Sequence, residues 1–506
     1  MSNSNNTFAT TQNYVPIPLG DIPIISYEIF YNNIKNSFAE ETNHCVNYFG
    51  TLIEGEIQMF CCIADDKSGE IHVYSFIYEG KALLSLSKTF FAFHVFEREL
   101  HEQFGIEFEE HPWLKPIRFE TNSRFGYDIE NYPFFKIESE HTHQVGVGPV
   151  HAGIIEPGHF RFHCKGEEIL HLEIQLGYQH RGVEKVFIEK NQIFQRNILA
   201  ENIAGDTVIG HATTFCVIAE QLSNTQINEK LIIERTIALE YERVAMHLSD
   251  VAGICTDVAY QFGKSVVEPL RTLTINSFIN WCGNRFGKGL IRVGGTNYSL
   301  NESIIKKLYS TIVDVEERFD MISDRLFNLP GMLSRLDNLG KISLKQAESC
   351  GFVGLSAKMA GLERDIRQTH PYLYYKNIKP EFVAENKGDL LARLYVRTEE
   401  VKNSITYIKE LFEILLNNNY KISNKPVIGN INYIPNALIV GLNEGWRGEI
   451  CHTAITNMDG NIVRYKIKDP SLHNWMALAL CVRNLEISDF PLCNKSFDLS
   501  YCGNDL

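Results

Sequence analysis

A chain of 506 residues with 44% hydrophobic content carries enough apolar side chain to bury large cores, and its length suggests about two to four domains. The net charge of −14, without clustered Lys and Arg, argues against a nucleic-acid surface while leaving room for an acidic face toward a basic partner. No segment reaches the roughly 20 consecutive apolar residues of a membrane-spanning helix, so membrane association has to come through other subunits. Met1 to Gln12 are rich in Ser, Asn and Thr, with no basic region and no apolar stretch. Residues 1–20 therefore read as a disordered lead and not as a signal peptide, and export is not expected. The 12 cysteines are scattered without a C-x-x-C pair, which favours reduced, buried thiols in a cytosolic protein; Cys502 alone stands near a motif.

Residues 21–120 alternate helix-like and strand-like runs. Tyr27 to Phe38 has helical spacing, and Ile57 to Ile63 and Glu70 to Ile77 are β-rich, so an α+β domain is predicted. It closes on Phe96-Glu97-Arg98-Glu99-Leu100-His101-Glu102-Gln103-Phe104-Gly105-Ile106-Glu107-Phe108, then His111-Pro112-Trp113-Leu114. This stretch resembles the 30-kDa-type subunit of respiratory complex I, with Glu102 and Glu110 departing from the family pattern. Nothing catalytic attaches to it, and the resemblance implies a docking element. Residues 121–144, polar and containing Pro133, read as a linker.

From residue 145 to the end a second domain is expected. Gly146, Gly148, Pro149, Gly153, Pro157 and Gly158 make a turn-rich entry, and Phe160–Phe162 with Leu170–Ile174 alternate as paired strands. Leu231–Ala252, Val266–Phe286, Glu302–Leu326 and Asp389–Leu416 carry helical apolar spacing, most of it bundle core. Ala437–Leu442 and Ile462–Ile467 then read as strands and Asn474–Cys481 as a helix.

Ordered landmarks run through this domain: Gly148-Pro149-Val150-His151, Glu156-Pro157-Gly158-His159-Phe160-Arg161, Gly177-Tyr178-Gln179-His180-Arg181-Gly182, Leu239-Glu240-Tyr241-Glu242-Arg243 and Glu444-Gly445-Trp446-Arg447-Gly448-Glu449. Together they resemble the 49-kDa-type subunit of complex I and its relative, the large subunit of group 4 [NiFe]-hydrogenases. The order is that of the fused arrangement in the formate hydrogenlyase type. The implied fold is an α+β N-terminal domain followed by a mainly α-helical hydrogenase-large-subunit domain with a small β-sheet.

Two stretches resemble nickel half-sites. Glu201-Asn202-Ile203-Ala204-Gly205-Asp206-Thr207, with His211 four residues on, is similar to E-R-x-C-G-x-C followed by His, and Ser496-Phe497-Asp498-Leu499-Ser500-Tyr501-Cys502-Gly503 is similar to S-F-D-P-C-x-x-C. The four thiolate positions hold Ala204, Thr207, Ser500 and Gly503, which cannot supply the soft sulfur donors that nickel takes in such a site. A Cys502 displaced by one position is a poor substitute. Glu156, Asp206, His211, Asp498, Cys502 and Asp505 offer mixed donors for another metal, but spacing does not bring them together.

By the same resemblance Glu156 stands where hydrogenases relay protons, with a turn carboxylate as the alternative role. Arg447 stands over the former diatomic ligands, with an ion pair to an acid such as Asp365 as the alternative. His151 and His159 lie in the loop near the quinone head group of complex I, while Gly205 replaces the tyrosine of that family. Asp206 and His211 are expected to present polar groups to the old metal cavity, against a purely structural role. The chain is thus expected to be a core peripheral-arm subunit of a membrane-bound, complex I-like oxidoreductase, coupling electron transfer to ion translocation without a [NiFe] centre. It would hold no cofactor firmly itself, with a quinone nearby as candidate acceptor. Its implied partners are an iron–sulfur small subunit with a [4Fe–4S] cluster and antiporter-like membrane-arm subunits, on the inner face of the cell membrane. The competing readings are a non-redox scaffold of a membrane transport complex and, requiring the missing thiolates, an active hydrogenase.

Overall fold

The computed structural model describes residues 7–120, 126–151 and 155–506. Four antiparallel strands form the first sheet, in the order Ala9–Gln12, Glu70–Ile77, Glu56–Asp65, Asn43–Ile53. Successive side chains point to opposite faces of a strand, and here both faces are covered. Tyr48, Cys61, Ile63 and Tyr74 pack with Phe30 and Ile34 of the helix Tyr27–Ser37, whereas Phe49, Phe60, Cys62 and Val73 join the main core of the C-terminal domain. A sheet apolar on both faces has to be sandwiched, so the two halves of the chain share one core.

The N-terminal lead departs from expectation. Residues 9–12 pair with Glu70–Val73, and Ile17–Pro18 pair with Ala437–Leu438 of the C-terminal domain. Tyr14 and Ile17 are buried, and these two apolar anchors, widely spaced in polar sequence, offset the ordering cost that composition alone suggested would go unmet. Part of the expected linker, residues 121–125, lies outside the described residues. Its polar remainder folds over the neighbouring strands, with the Gln175 side-chain amide donating to Ile129 O at 2.7 Å and Phe135 N donating to Glu173 at 2.6 Å.

The C-terminal domain is built on the long helices Glu229–Asp257, Gln261–Cys282, Glu302–Asn328 and Leu390–Asn417. Each has the expected spacing, and three begin on an Asn or Asp whose side chain accepts a hydrogen bond from the backbone N–H three residues on, which satisfies an otherwise orphaned donor. The helix Val208–Leu222 is buried almost all round and lies against a sheet ordered Ile462–Lys468, Gly448–Thr456, Ala437–Gly445, Ile17–Pro18. A three-stranded sheet, Glu168–Gln175, His159–Lys165, His143–Val147, carries the loop that follows residue 147. The last turn, Tyr501–Asp505, is tucked under this sheet: Asp505 accepts from Gly177 N and Gln179 N at 2.8 Å each, and Arg181 N donates to Leu506 O at 2.8 Å. Among the described residues no helix is long and apolar enough to cross a membrane. Eleven cysteines are buried and Cys502 is half-buried, all with free thiols.

Candidate functional site

A cleft of about 1420 Å³, counting its open mouth, lies where the loop after residue 147, the turn at Trp446-Arg447 and the C-terminal segment meet. Phe160, Phe162, Phe490 and Leu499 form an apolar wall, and His151, Glu156, Asp206, Arg447, Lys495 and Asp498 form the polar side. An apolar pocket with a few convergent polar groups is the usual make-up of a small-molecule site.

The loop is held by its two histidines. The His151 Nε2–H donates to Gly158 O at 3.0 Å and the His159 Nδ1–H to Gly148 O at 2.9 Å. Gly148, at φ +82°, passes so close to the second strand of the loop that a Cβ would stand 2.1 Å from Gly158 O, so the crossing requires glycine. His151 faces the cleft, whereas His159 serves the loop and lines no part of the cavity. Residues 152–154, including Gly153 of the expected entry turn, lie outside the described residues.

Glu156 stands beside the Cys502 thiol, and burial, with Glu156 next to it, pushes that thiol up to about 11. Cys502 sits near the Ser500 hydroxyl, 3.4 Å away, and as a protonated thiol it is a poor metal ligand.

Arg447 is the pivot of the polar wall. Its guanidinium makes a bidentate pair with Asp206 at 2.7 and 2.6 Å, donates through Nε to Asp498 O, lies 3.8 Å from the Asp498 carboxylate and covers the Trp446 ring at 3.9 Å. Two planar forks meeting face to face make the strongest kind of Arg–carboxylate contact. The predicted alternative partner, Asp365, is elsewhere: it binds Lys358 at 2.6 Å and Arg367 at 2.7 Å in the helical core. Burial opposes ionisation of Asp498, but Lys495 at 3.0 Å and then Arg447 hold its carboxyl well below the usual range.

From this wall a line of ion pairs and hydrogen bonds enters the bundle. Lys495 reaches Asp250 at 3.4 Å, Asp250 pairs with Arg397 at 2.5 Å, Arg397 lies 3.0 Å from His247 Nδ1, and His247 Nε2 is 2.7 Å from Glu400. A guanidinium only donates, so Nδ1 of His247 accepts and its Nε2–H points at Glu400; burial accordingly holds His247 down to about 4. Glu400 continues to Lys358, which also binds Asp365 and Glu444.

His211 does not face the cleft. It is fully buried one layer behind Arg447, between Asp469 and His452. The physical reason is packing: His211 lies one turn into the helix that Thr207 caps, and its ring is taken up by His452 and Asp469 at the adjoining sheet. Asp206, Asp498 and Glu156 reach the cleft, Cys502 adjoins it, and Asp505 is used up by the Gly177 and Gln179 amides. Among the described residues no three His, Cys, Asp or Glu side chains come together as a metal-binding group.

The four positions that resemble thiolate ligands are each committed to something else. Ala204 is a buried methyl; Thr207 Oγ1 accepts from Arg447 at 3.3 Å; Ser500 Oγ accepts from Gly503 N at 2.9 Å; and a Cβ on Gly503 would stand 2.6 Å from the Asp469 carboxylate. These residues do not fit a thiolate-held nickel. Sequence reasoning missed Lys495, Tyr501, Asp469, His452 and Tyr465, since Lys495 directly precedes a quoted motif, Tyr501 fills an unspecified position within it, and the last three lie on or beside strands with no local signal.

Residues 253–505 match the family described as respiratory-chain NADH dehydrogenase, 49 Kd subunit, and residues 34–137 match respiratory-chain NADH dehydrogenase, 30 Kd subunit. Formate hydrogenlyase subunit 5 of Escherichia coli K12 is 26% identical over 383 residues, 75% of this chain and 66% of that protein, so just under two-thirds of its length is spanned. The membrane-bound hydrogenase subunit alpha of Pyrococcus furiosus is 25% identical over 370 residues, covering 71% of this chain and 86% of its own. The fused C/D protein of the NADH-quinone oxidoreductase of Phocaeicola vulgatus is 25% identical over 443 residues, with 79% and 82% covered. Among solved structures, a chain of the membrane-bound sulfane sulfur reductase, an archaeal respiratory membrane complex, superposes with a TM-score of 0.64 at 19% identity, covering 74% of this chain and 100% of that one; the likeness is one of fold.

Proposed function

For a chain that belongs to the family of the 49 kDa subunit of respiratory-chain NADH dehydrogenase, with the 30 kDa subunit's domain fused ahead of it, we propose the role of core peripheral-arm subunit in a membrane-bound, complex I-like oxidoreductase that works without nickel. The observation that carries this reading is the cleft itself. The thiolate positions beside it are replaced, while Glu156, His151, Asp206 and Arg447 still converge on it. An amphipathic cleft with a bidentate Arg–Asp pair and a carboxylate at its rim suits an uncharged organic acceptor, such as a quinone, whose oxygens gain electrons and then protons. In that reaction Arg447 stabilises developing negative charge, and Glu156 hands on a proton from the mouth. The electrons would arrive from a [4Fe–4S] cluster in an iron–sulfur small subunit, and ion movement would belong to antiporter-like membrane subunits.

The test is purification of the assembled complex from its native membranes, followed by measurement of iron, nickel, bound quinone and acceptor reduction. Iron in cluster stoichiometry with acceptor reduction, and no nickel, is the expected result. One nickel per chain, or a complex that passes no electrons to any acceptor, overturns the reading.

A further inference from the structure

A second cavity, of about 910 Å³ counting its open mouth, lies on the seam between the two halves of the chain and shares no lining residue with the cleft. Each half gives it two segments. From the N-terminal half come the turn after the helix Tyr27–Ser37, with Glu40 and Glu41, and the stretch holding Thr89 and Phe90. From the C-terminal half come the helix Leu344–Cys350 and the loop with Leu362 and Arg364. Arg364 is 5% exposed, and its guanidinium is only partly used. The Nε–H donates to Asp66 Oδ2 at 2.6 Å, and among the described residues neither Nη1 nor Nη2 has a hydrogen-bond partner. The edge made by those two nitrogens is the one that a carboxylate grips with both oxygens.

Asp66 does not balance this end of the cavity by itself. His44, which also lines the cavity, has Nδ1 3.4 Å from Asp66 and Nε2 2.6 Å from Glu449, and Glu449 takes Lys468 as well. Burial and then Arg364 lower the His44 pKa, but Asp66 and Glu449 together outweigh them, so the ring favours its proton. Arg364, His44 and Lys468 then face two carboxylates, which leaves one positive charge in excess. A buried guanidinium with an unused edge and an unbalanced charge is suited to an anion. The mouth has the opposite sign. Glu40, Glu41 and Glu348 are exposed there with Lys345, and among the described residues no cation lies within ion-pair distance of these three carboxylates. A simple anion is repelled at such a mouth, whereas a molecule that carries an ammonium group behind its carboxylate is attracted at both ends. Phe38, Phe90 and Leu362 add an apolar wall.

We propose that the seam cavity binds a small zwitterion, an α-amino acid with an apolar side chain. Its carboxylate sits on the free edge of Arg364, its ammonium group faces Glu41 and Glu348, and its side chain lies against Phe38, Phe90 and Leu362. The inference is independent of the functional reading of the cleft. Because the ligand touches both halves of the chain, it stabilises their joint, and the melting temperature rises with ligand concentration.

Isothermal titration calorimetry of the full chain with L-valine, L-leucine, L-methionine and L-phenylalanine tests this, with 3-phenylpropionate, 2-phenylethylamine and inorganic phosphate as controls that lack one of the two charges. At least one of the four amino acids should bind at one per chain, and each control should bind about tenfold more weakly or not at all. Arg364→Lys keeps a positive charge beside Asp66 but loses the planar fork, and should weaken the amino acid by about tenfold or more. The double variant Glu41→Gln/Glu348→Gln changes exposed side chains only. It should weaken the amino acid by about threefold and strengthen 3-phenylpropionate. No binding by any of the four, equal binding of an amino acid and 3-phenylpropionate, or an affinity left unchanged by either variant overturns the site.

Discussion

At the scale of single residues, three of the four positions that resemble thiolate ligands are occupied by contacts with a neighbour: Thr207 with Arg447, Ser500 with Gly503 N, and Gly503 with Asp469. Gly503 gives the clearest case, because a methyl there meets the Asp469 carboxylate at 2.6 Å. Gly503→Ala should therefore destabilise by about 1–3 kcal/mol, the usual range for overpacking. In a Gly503→Ala/Asp469→Ser double variant the cost should be smaller than the sum of the two single changes, as expected for residues in contact; additive melting-temperature shifts would show that the two do not share the space. Glu156 invites a different substitution. Glu156→Gln keeps shape and most hydrogen bonding but removes the titratable proton, so assembly should be unchanged while turnover of the complex falls by about 10²-fold or more. Equal rates for wild type and variant across pH would make the residue structural.

At the scale of elements, the decisive contact is the seam between the N-terminal sheet and the strand Gly448–Thr456. His44 Nε2 lies 2.6 Å from Glu449 and its Nδ1 lies 3.4 Å from Asp66, while Arg364 binds Asp66 at 2.6 Å and Lys468 binds Glu449. Burial and then Arg364 push the His44 imidazole down, but Asp66 and Glu449 together push harder, and the net direction is above the usual 6.5. The protonated form is thus favoured in the folded chain. Its contribution is complete below about pH 6.5 and is lost as pH rises through the higher folded value. Stability of the seam should fall as pH rises above about 6.5, and His44→Gln should flatten that part of the melting-temperature profile. An unchanged slope in the variant would assign the pH dependence to other groups.

At the scale of the whole molecule, the N-terminal domain cannot be lifted off without exposing Phe49, Phe60 and Val73, which belong to the common core. The two halves of the fusion therefore share core residues. Apolar residues that remain exposed include Val150 and Ile155 at the cleft mouth and Phe194 and Ile198 on the helix leading to the first half-site. Ile155 lines the cleft, and exposed apolar area of this kind marks contact surface. Co-expression with an iron–sulfur small subunit should raise solubility and melting temperature, and affinity purification from native cells should recover that subunit with membrane components. A stable, monodisperse chain that recovers neither would count against the proposed assembly.

Much of this is legible in the chain. Helical periodicity places the four long helices to within a few residues, because a 3.6-residue apolar repeat encodes its own buried face. Ordered motifs such as Glu156-Pro157-Gly158-His159 carry the family resemblance, and the four non-thiolate residues argue, through that resemblance, against a sulfur-held nickel. The strands Asn43–Ile53 and Gly448–Thr456 leave little trace, since their Asn, Gly, Glu and His residues look like turn or surface sequence until partners from the other domain bury and pair them. For Arg447 the sequence suggests Asp365 as a possible ion-pair partner, whereas its fork closes on Asp206; a long side chain can reach many acids, and only packing selects one. His211 shows the same division most sharply. Its spacing from Thr207 gives a position along a helix axis, whereas the direction of the ring, away from the cleft and toward Asp469 and His452, is decided by which strands lie beside that helix. Local pattern thus determined which elements form and which chemistry is missing, while long-range packing decided which charges meet.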